Sequence, residues 1–150
     1  MKHQTKYTDN RKAFFNYEIL ESIEAGIELL GFEAKSIKAG SASLDGSYII
    51  VRGGEAFLVK CHIPPFQQGN TPKEYDPLRN RKLMLHKKEI KKLSDIESGK
   101  GKSIIPLALY NNKGKVKVEI AIARGKKKFD KRESIKKRET NIEIRREFKR

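Results

Sequence analysis

The chain has 150 residues, 37% of them hydrophobic, which suits one domain with a modest core. Its 34 Lys and Arg outnumber 19 Asp and Glu for a formal net charge of +15, so the expected partner is a polyanion. No apolar run approaches the roughly 18 residues of a membrane span, and the polar start MKHQTKYTDNRK lacks a signal-peptide core, so no membrane partner is expected.

YEILESIEAGIELL (17–30) places Tyr17, Ile19, Ile23, Ala25, Ile27 and Leu29 at alternate positions, the period of a half-buried strand. Glu and Leu also favour helix, which is the competing reading. A strand this long is expected to bulge or bend, and Gly26 is the position that permits it. GFEAKSIKAG (31–40) breaks the alternation. A short helix there would turn Ala34, Ile37 and Ala39 inward and stop at Gly40.

SYIIVRGGEAFLVKCHI (47–63) reads as a hairpin, with Gly53-Gly54 supplying the positive φ of a tight turn. Its alternation directs Phe57, Val59, Cys61 and Ile63 inward, which makes Cys61 a small core residue. A lone cysteine cannot close an internal disulfide, and no Asn-x-Ser/Thr sequon is present, so a reducing cytoplasm is expected. PPFQQGNTPKEYDPLRNR (64–81) holds four of the five prolines and reads as a long functional or mobile loop.

LHKKEIKKLSDIESGKG (85–101) spaces Leu85, Ile90, Leu93 and Ile96 as an amphipathic helix with lysines on its wet face. SIIPLALY (103–110), the turn NNKG and KVKVEIAIA (115–123) make a second hairpin, and Pro106 marks an edge or a bulge. Five strands with a helix between the third and fourth give a mainly β fold, an OB-type antiparallel barrel with short helices.

Catalytic and metal-binding patterns are missing. GKGKS (99–103) has Ile96 where a P-loop needs its first glycine, and a strand follows where a helix is required. Cys61 and His62 are adjacent on a strand and point to opposite faces, so they cannot grip one metal, and His3 and His86 lie far away in sequence. Glu21 and Glu24, three apart on a strand, likewise diverge. The sequence predicts a binder with no enzymatic activity, no cofactor and no metal.

The segment PLRNRKLMLHKK concentrates Arg79, Arg81, Lys82, Lys87 and Lys88, the residue types that meet phosphates. Tyr17, Phe32, Tyr48, Phe66, Tyr75 and Tyr110 are the aromatics available for base stacking on such a domain. Residues 124–150 carry thirteen Lys and Arg against five Asp and Glu. Their apolar residues are so sparse that a tail unfolded when alone is expected. Ile135, Ile142 and Phe148 would share a face if it formed a helix on a partner, with Glu139–Lys136 and Glu143–Arg146 as charge pairs. The division expected is a barrel over 1–124 and a basic tail over 125–150, in a chain that is monomeric when free.

Three stretches carry a family resemblance. EAGIELLGFEAKSIKAG resembles the pattern E-A-G-I-x-L-x-G-x-E-V-K-S-L-R-x-G, RKLMLHKKEI resembles R-K-L-L-L-H-K-x-E-I, and ARGKKKFDKRESIKKRE is similar to a Gly-Lys-Lys…Asp-Lys-Arg tail signature. These belong to the SsrA-binding protein (SmpB) family, and the resemblance runs from Asn10 to Glu139. It implies a non-enzymatic role in trans-translation, the rescue of stalled ribosomes. The family's barrel binds the tRNA-like domain of transfer-messenger RNA where an anticodon arm would sit. Elongation factor Tu with GTP delivers the complex, and the tail enters the decoding centre and the empty mRNA channel.

The resemblance assigns RNA binding to Asn10, Tyr17, Glu24, Gly26, Lys35, Ser36, Arg79, Arg81 and Lys82. Glu24 would accept hydrogen bonds from base or ribose edges, or orient a neighbouring cation. It assigns ribosome binding to Gly125, Lys126, Lys127, Phe129, Asp130, Lys131 and Arg132. Phe32-Glu33-Ala34 stands where the family commonly has Thr-Glu-Val, a packing change. Phe129 replaces a His or Tyr, which keeps stacking and loses a ring hydrogen bond. An RNA-processing enzyme would need an acid, nucleophile or metal cluster, and a generic basic OB-fold RNA chaperone or ribosomal protein would explain the charge without the motifs.

Overall fold

The computed structural model of the chain describes residues 5–67, 69 and 71–126. In chain order its elements are β1 (Lys6–Asp9), α1 (Arg11–Asn16), β2 (Tyr17–Ile27), α2 (Gly31–Lys38), β3 (Tyr48–Arg52), β4 (Glu55–Val59), β5 (Arg81–Met84), α3 (Lys87–Ser98), β6 (Ser103–Asn112) and β7 (Lys115–Gly125). The strands form one antiparallel sheet in the order β1-β6-β7-β2-β5-β4-β3. β3 packs back against β6, which rolls the sheet into an OB-type barrel of seven strands where five were expected. The two extra strands, β1 and β5, are four residues each. β5 leaves no strand signal in the sequence because its first inward residue is Arg81, which breaks the apolar alternation that announces a strand.

Both long hairpins turn on two residues with positive φ, Gly53-Gly54 and Lys113-Gly114, the geometry that matches the twist of paired strands. The phase of β4 differs from expectation. Ala56 and Leu58 point inward and Phe57 and Val59 do not, because Lys60 adopts φ of 61° and resets the alternation before Cys61 and Ile63. α2 runs to Lys38, with Gly40 in the left-handed region just beyond it. Its buried face is Glu33, Ser36 and Ile37, rather than Ala34, Ile37 and Ala39.

The barrel interior is filled by residues such as Ala25, Ile27, Ile37, Leu58, Leu83, Leu93, Leu109 and Ile120. A second apolar cluster lies on the outer face, where Ala13 of α1 covers Ile105, Leu107, Ala121 and Ala123, with Tyr17 and Ile19 alongside. Two bulges make this double burial possible. One lies between Ile19 and Glu21 of β2, the other between Pro106 and Ala108 of β6. Each slips the register by one residue, which moves side chains to the opposite face. Ile19 thus faces α1, while Ile23, Ala25 and Ile27 face the barrel.

The bulge expected at Gly26 therefore sits at Leu20. Gly26 serves a different need: a Cβ there would lie 2.9 Å from Met84 Cε and 3.3 Å from Met84 Cβ, so the glycine lets β5 approach. At the end of β7, Gly125 pairs with Tyr17 and the Lys126 amide donates to the Asn16 carbonyl at 2.9 Å. The barrel's last strand thus extends past the boundary expected at 124. Tail residues Lys127, Phe129, Asp130, Lys131 and Arg132 lie outside the described residues.

Candidate nucleic-acid interface

The loop between β4 and β5 is pinned by charge. Glu33, fully buried at the start of α2, accepts from the Leu30 amide (2.8 Å) and from Arg79 Nη2 (2.5 Å) at Oε1. Its Oε2 accepts from Arg79 Nε (3.0 Å), Arg81 Nε (2.9 Å) and Arg81 Nη2 (2.6 Å). Arg81 is also fully buried, and its Nη1 donates to the Cys61 carbonyl at 2.5 Å. The Tyr75 hydroxyl accepts from Arg81 (2.8 Å) and has two acceptors in reach, Glu33 (2.8 Å) and the Ile63 carbonyl (2.7 Å). Burial by itself would raise the Glu33 pKa. Hydrogen bonds from Arg79, the Leu30 amide, Arg81 and Tyr75 outweigh it and hold the carboxyl at about 2. Burial and the bond to Glu33 push the Tyr75 phenol up to about 12.

This cluster ties α2, the proline-rich loop and β5 together. Phe32 joins it, meeting the Tyr75 ring edge to face at 4.7 Å, so the unusual residue before Glu33 packs on the same anchor. Arg81 is consequently not a surface cation. The phosphate contact expected of it is replaced by a buried ion pair, because strand alternation turns it into the core. Arg79 remains partly exposed at 31% of its side chain, and Lys35 is exposed on α2. Lys82 points outward from β5 and pairs with Glu55 at 3.1 Å. Ser36 is buried, and its hydroxyl has no hydrogen-bond partner among the described residues.

Glu24 and Gly26 share a groove of about 350 Å³ with Met84, Leu85, His86, Glu89 and Lys117. Met84 is 55% exposed and forms an apolar patch on the groove, next to Gly26. Glu24 accepts from the Tyr110 hydroxyl (2.5 Å) and from Asn112 Nδ2 (3.1 Å), so two residues of β6 hold the carboxylate of this β2 residue on the outer face. It sits directly opposite Glu119 on β7, an unfavourable like-charge pair. Burial, the bond to Glu24 and the charges of Glu24 and Glu119 raise the Tyr110 phenol well above its ordinary range, keeping it protonated as a donor. The groove thus offers an oriented acceptor, a thioether and methylene surface, an imidazole and a lysine within one span. That set suits a base or ribose edge beside a phosphate.

Asn10 and Tyr17 line a separate cleft of about 670 Å³ with Lys12, Tyr48, Arg52 and Lys102. Asn10 is buried: its amide donates to the Leu107 carbonyl (2.8 Å) and its Nδ2 to the Pro106 carbonyl (2.9 Å), securing the β6 bulge. Six of the nine residues assigned by resemblance therefore fall into three places, and Lys35, Ser36 and Lys82 lie outside them. Glu24 and Gly26 share the groove, Arg79 and Arg81 share Glu33, and Asn10 and Tyr17 share the cleft. Met84, His86, Lys117 and Asn112 carry no such expectation from the sequence, and Tyr110, expected as a stacking aromatic, is buried and donates to Glu24 instead. Only the Met84 position was readable, had β5 been recognised from its Lys82/Met84 alternation. Among the described residues no group of three or more His, Cys, Asp or Glu could hold a metal ion, and no helix is long and apolar enough to cross a membrane.

Residues 7–150 match the family model described as SmpB protein. The SsrA-binding protein of Caldicellulosiruptor saccharolyticus is 51% identical over 140 residues, covering 93% of this chain and 88% of that protein. The SsrA-binding protein of Syntrophobacter fumaroxidans is 52% identical over 135 residues, covering 90% of this chain and 83% of that protein. A solved SmpB structure, described with tmRNA on a journey to the centre of the bacterial ribosome, shares 42% identity at a TM-score of 0.66 and covers 81% of this chain and 85% of that one. With a family model spanning nearly the whole sequence and relatives about half identical across nine tenths of it, the chain belongs to the SsrA-binding protein (SmpB) family.

Proposed function

We propose that the barrel binds the tRNA-like domain of transfer-messenger RNA and helps bring it, with elongation factor Tu and GTP, to stalled ribosomes in the cytoplasm. Residues 125–150 then engage the decoding centre and the empty mRNA channel. The observation that carries this reading is identity of about half to SsrA-binding proteins over more than nine tenths of the chain. The groove around Glu24 and Met84 supplies an RNA-facing surface, and the chain acts as an RNA-binding factor. Competition gel shifts across salt concentrations test it. Transfer-messenger RNA should bind far more tightly than bulk tRNA or duplex DNA of equal length, and equal binding would instead indicate a generic basic chaperone.

Glu24→Ala should weaken transfer-messenger RNA binding by about 1–3 kcal/mol, the loss of a charged acceptor from a specific contact. Tyr110 and Asn112 hold the carboxylate toward the groove, so its orientation is fixed before the RNA arrives. Titration with the RNA, beside circular dichroism to verify folding, measures the loss. Unchanged affinity would remove Glu24 from the interface.

A further inference from the structure

α3 breaks several local rules at its beginning. Lys87 and Lys88 occupy the first turn, where the helix macrodipole is positive and disfavours cations. Lys87–Lys91 and Lys88–Lys92 are like-charged pairs four residues apart, which repel on a helix surface. All four lysines are exposed. Lys92 is drawn off to Glu21 of β2. Among the described residues, the side chains of Lys87, Lys88 and Lys91 make no ion pair or hydrogen bond.

The helix's own acids do not relieve this repulsion. Glu89 turns back to the His86 amide at 3.0 Å, and Glu97 accepts from the Val51 amide at 2.7 Å and pairs with Arg52. Asp95 lies four residues beyond Lys91 yet makes no ion pair with it. A helix whose buried side needs only Leu93, with Ile96 packed beside it, has no packing reason to carry this charge. Local choices that oppose the fold mark functional surface. The same first turn forms a wall of the Glu24 groove through His86 and Glu89.

We infer that Lys87, Lys88 and Lys91 form a docking face for the sugar–phosphate backbone of the same RNA whose bases or riboses enter the adjacent groove. This rests on the reading of the barrel as a binder of transfer-messenger RNA. The face adds affinity without adding sequence preference, since cations on phosphates position an RNA and bases specify it.

The test is the triple variant Lys87→Gln/Lys88→Gln/Lys91→Gln in the full chain, titrated with the tRNA-like domain of transfer-messenger RNA from low to high salt. The slope of log affinity against log salt should become shallower by about 2–3, and affinity near 0.1 M salt should fall by roughly tenfold or more. The thermal midpoint should hold or rise, because the substitutions relieve repulsion in the free helix, so loss of binding cannot be laid to misfolding. The Arg triple variant should keep the parental slope. An unchanged slope in the Gln variant overturns the inference, as does an unchanged slope accompanied by weaker ribosome binding, which would assign the lysines to ribosomal RNA. Should the parent chain itself fail to prefer the tRNA-like domain over a plain RNA duplex, the functional reading fails instead.

Discussion

Glu33→Gln should destabilise the barrel by about 3–5 kcal/mol, since it leaves the buried Arg81 charge without its counterion. The substitution preserves shape, so the loss reports charge and hydrogen bonding rather than a cavity. In the native protein the carboxylate takes six hydrogen bonds from four residues, and both it and Arg81 are fully buried. A neutral amide cannot accept at both atoms: its NH₂ would confront the guanidinium that Oε1 or Oε2 now receives. Arg81→Met should cost less than Glu33→Gln, because neutral Met suits an apolar core. The double variant should fall short of the sum of the singles, because the two residues act as one unit. Urea unfolding measures each value.

The same carboxylate gives a pH signature. Its pKa in the folded chain is about 2, against an ordinary value of 4.5. A depressed pKa contributes stability that is fully present above the unfolded value and is lost as pH falls toward the folded one. The parent should therefore lose about 3 kcal/mol between roughly pH 5 and pH 2 from this group. Glu33→Gln should show a correspondingly flatter profile in that window. Parallel profiles would place the acid sensitivity elsewhere. Because the cluster joins α2, the proline-rich loop and β5, its loss should also slacken the support beneath Lys82 and Met84, and RNA affinity should drop even where the barrel remains folded.

What was legible in the sequence was whatever the backbone decides locally. Gly53-Gly54 and Lys113-Gly114 announce their turns, and the Val116–Ile122 alternation announces β7, because turn chemistry and side-chain period are short-range properties. The barrel class follows from the order of those elements. What was hidden depends on residues far apart in the chain. Arg81 reads as a surface cation until a glutamate 48 positions earlier is found buried beside it. Gly26 reads as a bend until Met84 is seen where its side chain would be. Lys60 looks like an ordinary outward strand residue, yet its positive φ changes which neighbours face the core. The family resemblance assigned RNA binding to Asn10 and Arg81 alike, and both are buried, one bonded to the β6 bulge and the other to Glu33.

Cutting the chain after Lys126 should abolish tagging on stalled ribosomes while leaving affinity for transfer-messenger RNA within a few-fold of the parent. The cut site follows from the ladder: Gly125 pairs with Tyr17 and the Lys126 amide caps the strand on Asn16, so a deletion beginning at 125 would damage the β2–β7 pairing as well. Residues 127–150 carry eleven Lys and Arg against five Asp and Glu, so the truncated chain retains most of the +15 and all of the groove. At physiological ionic strength, charges beyond about 8 Å are screened, so cations outside the RNA footprint contribute little to binding it. Tagging has a different requirement. An A site without a codon offers rRNA phosphates and bases in place of mRNA, and the basic segment containing Lys127, Phe129, Asp130, Lys131 and Arg132 is the part of the chain whose composition fits that surface. A reconstituted translation reaction on a message lacking a stop codon, read out as tagged peptide, runs beside RNA titration of the same preparation. Normal tagging by the truncated chain would remove the segment from decoding, and a tenfold or larger loss of RNA affinity would mean that barrel and tail bind the RNA jointly.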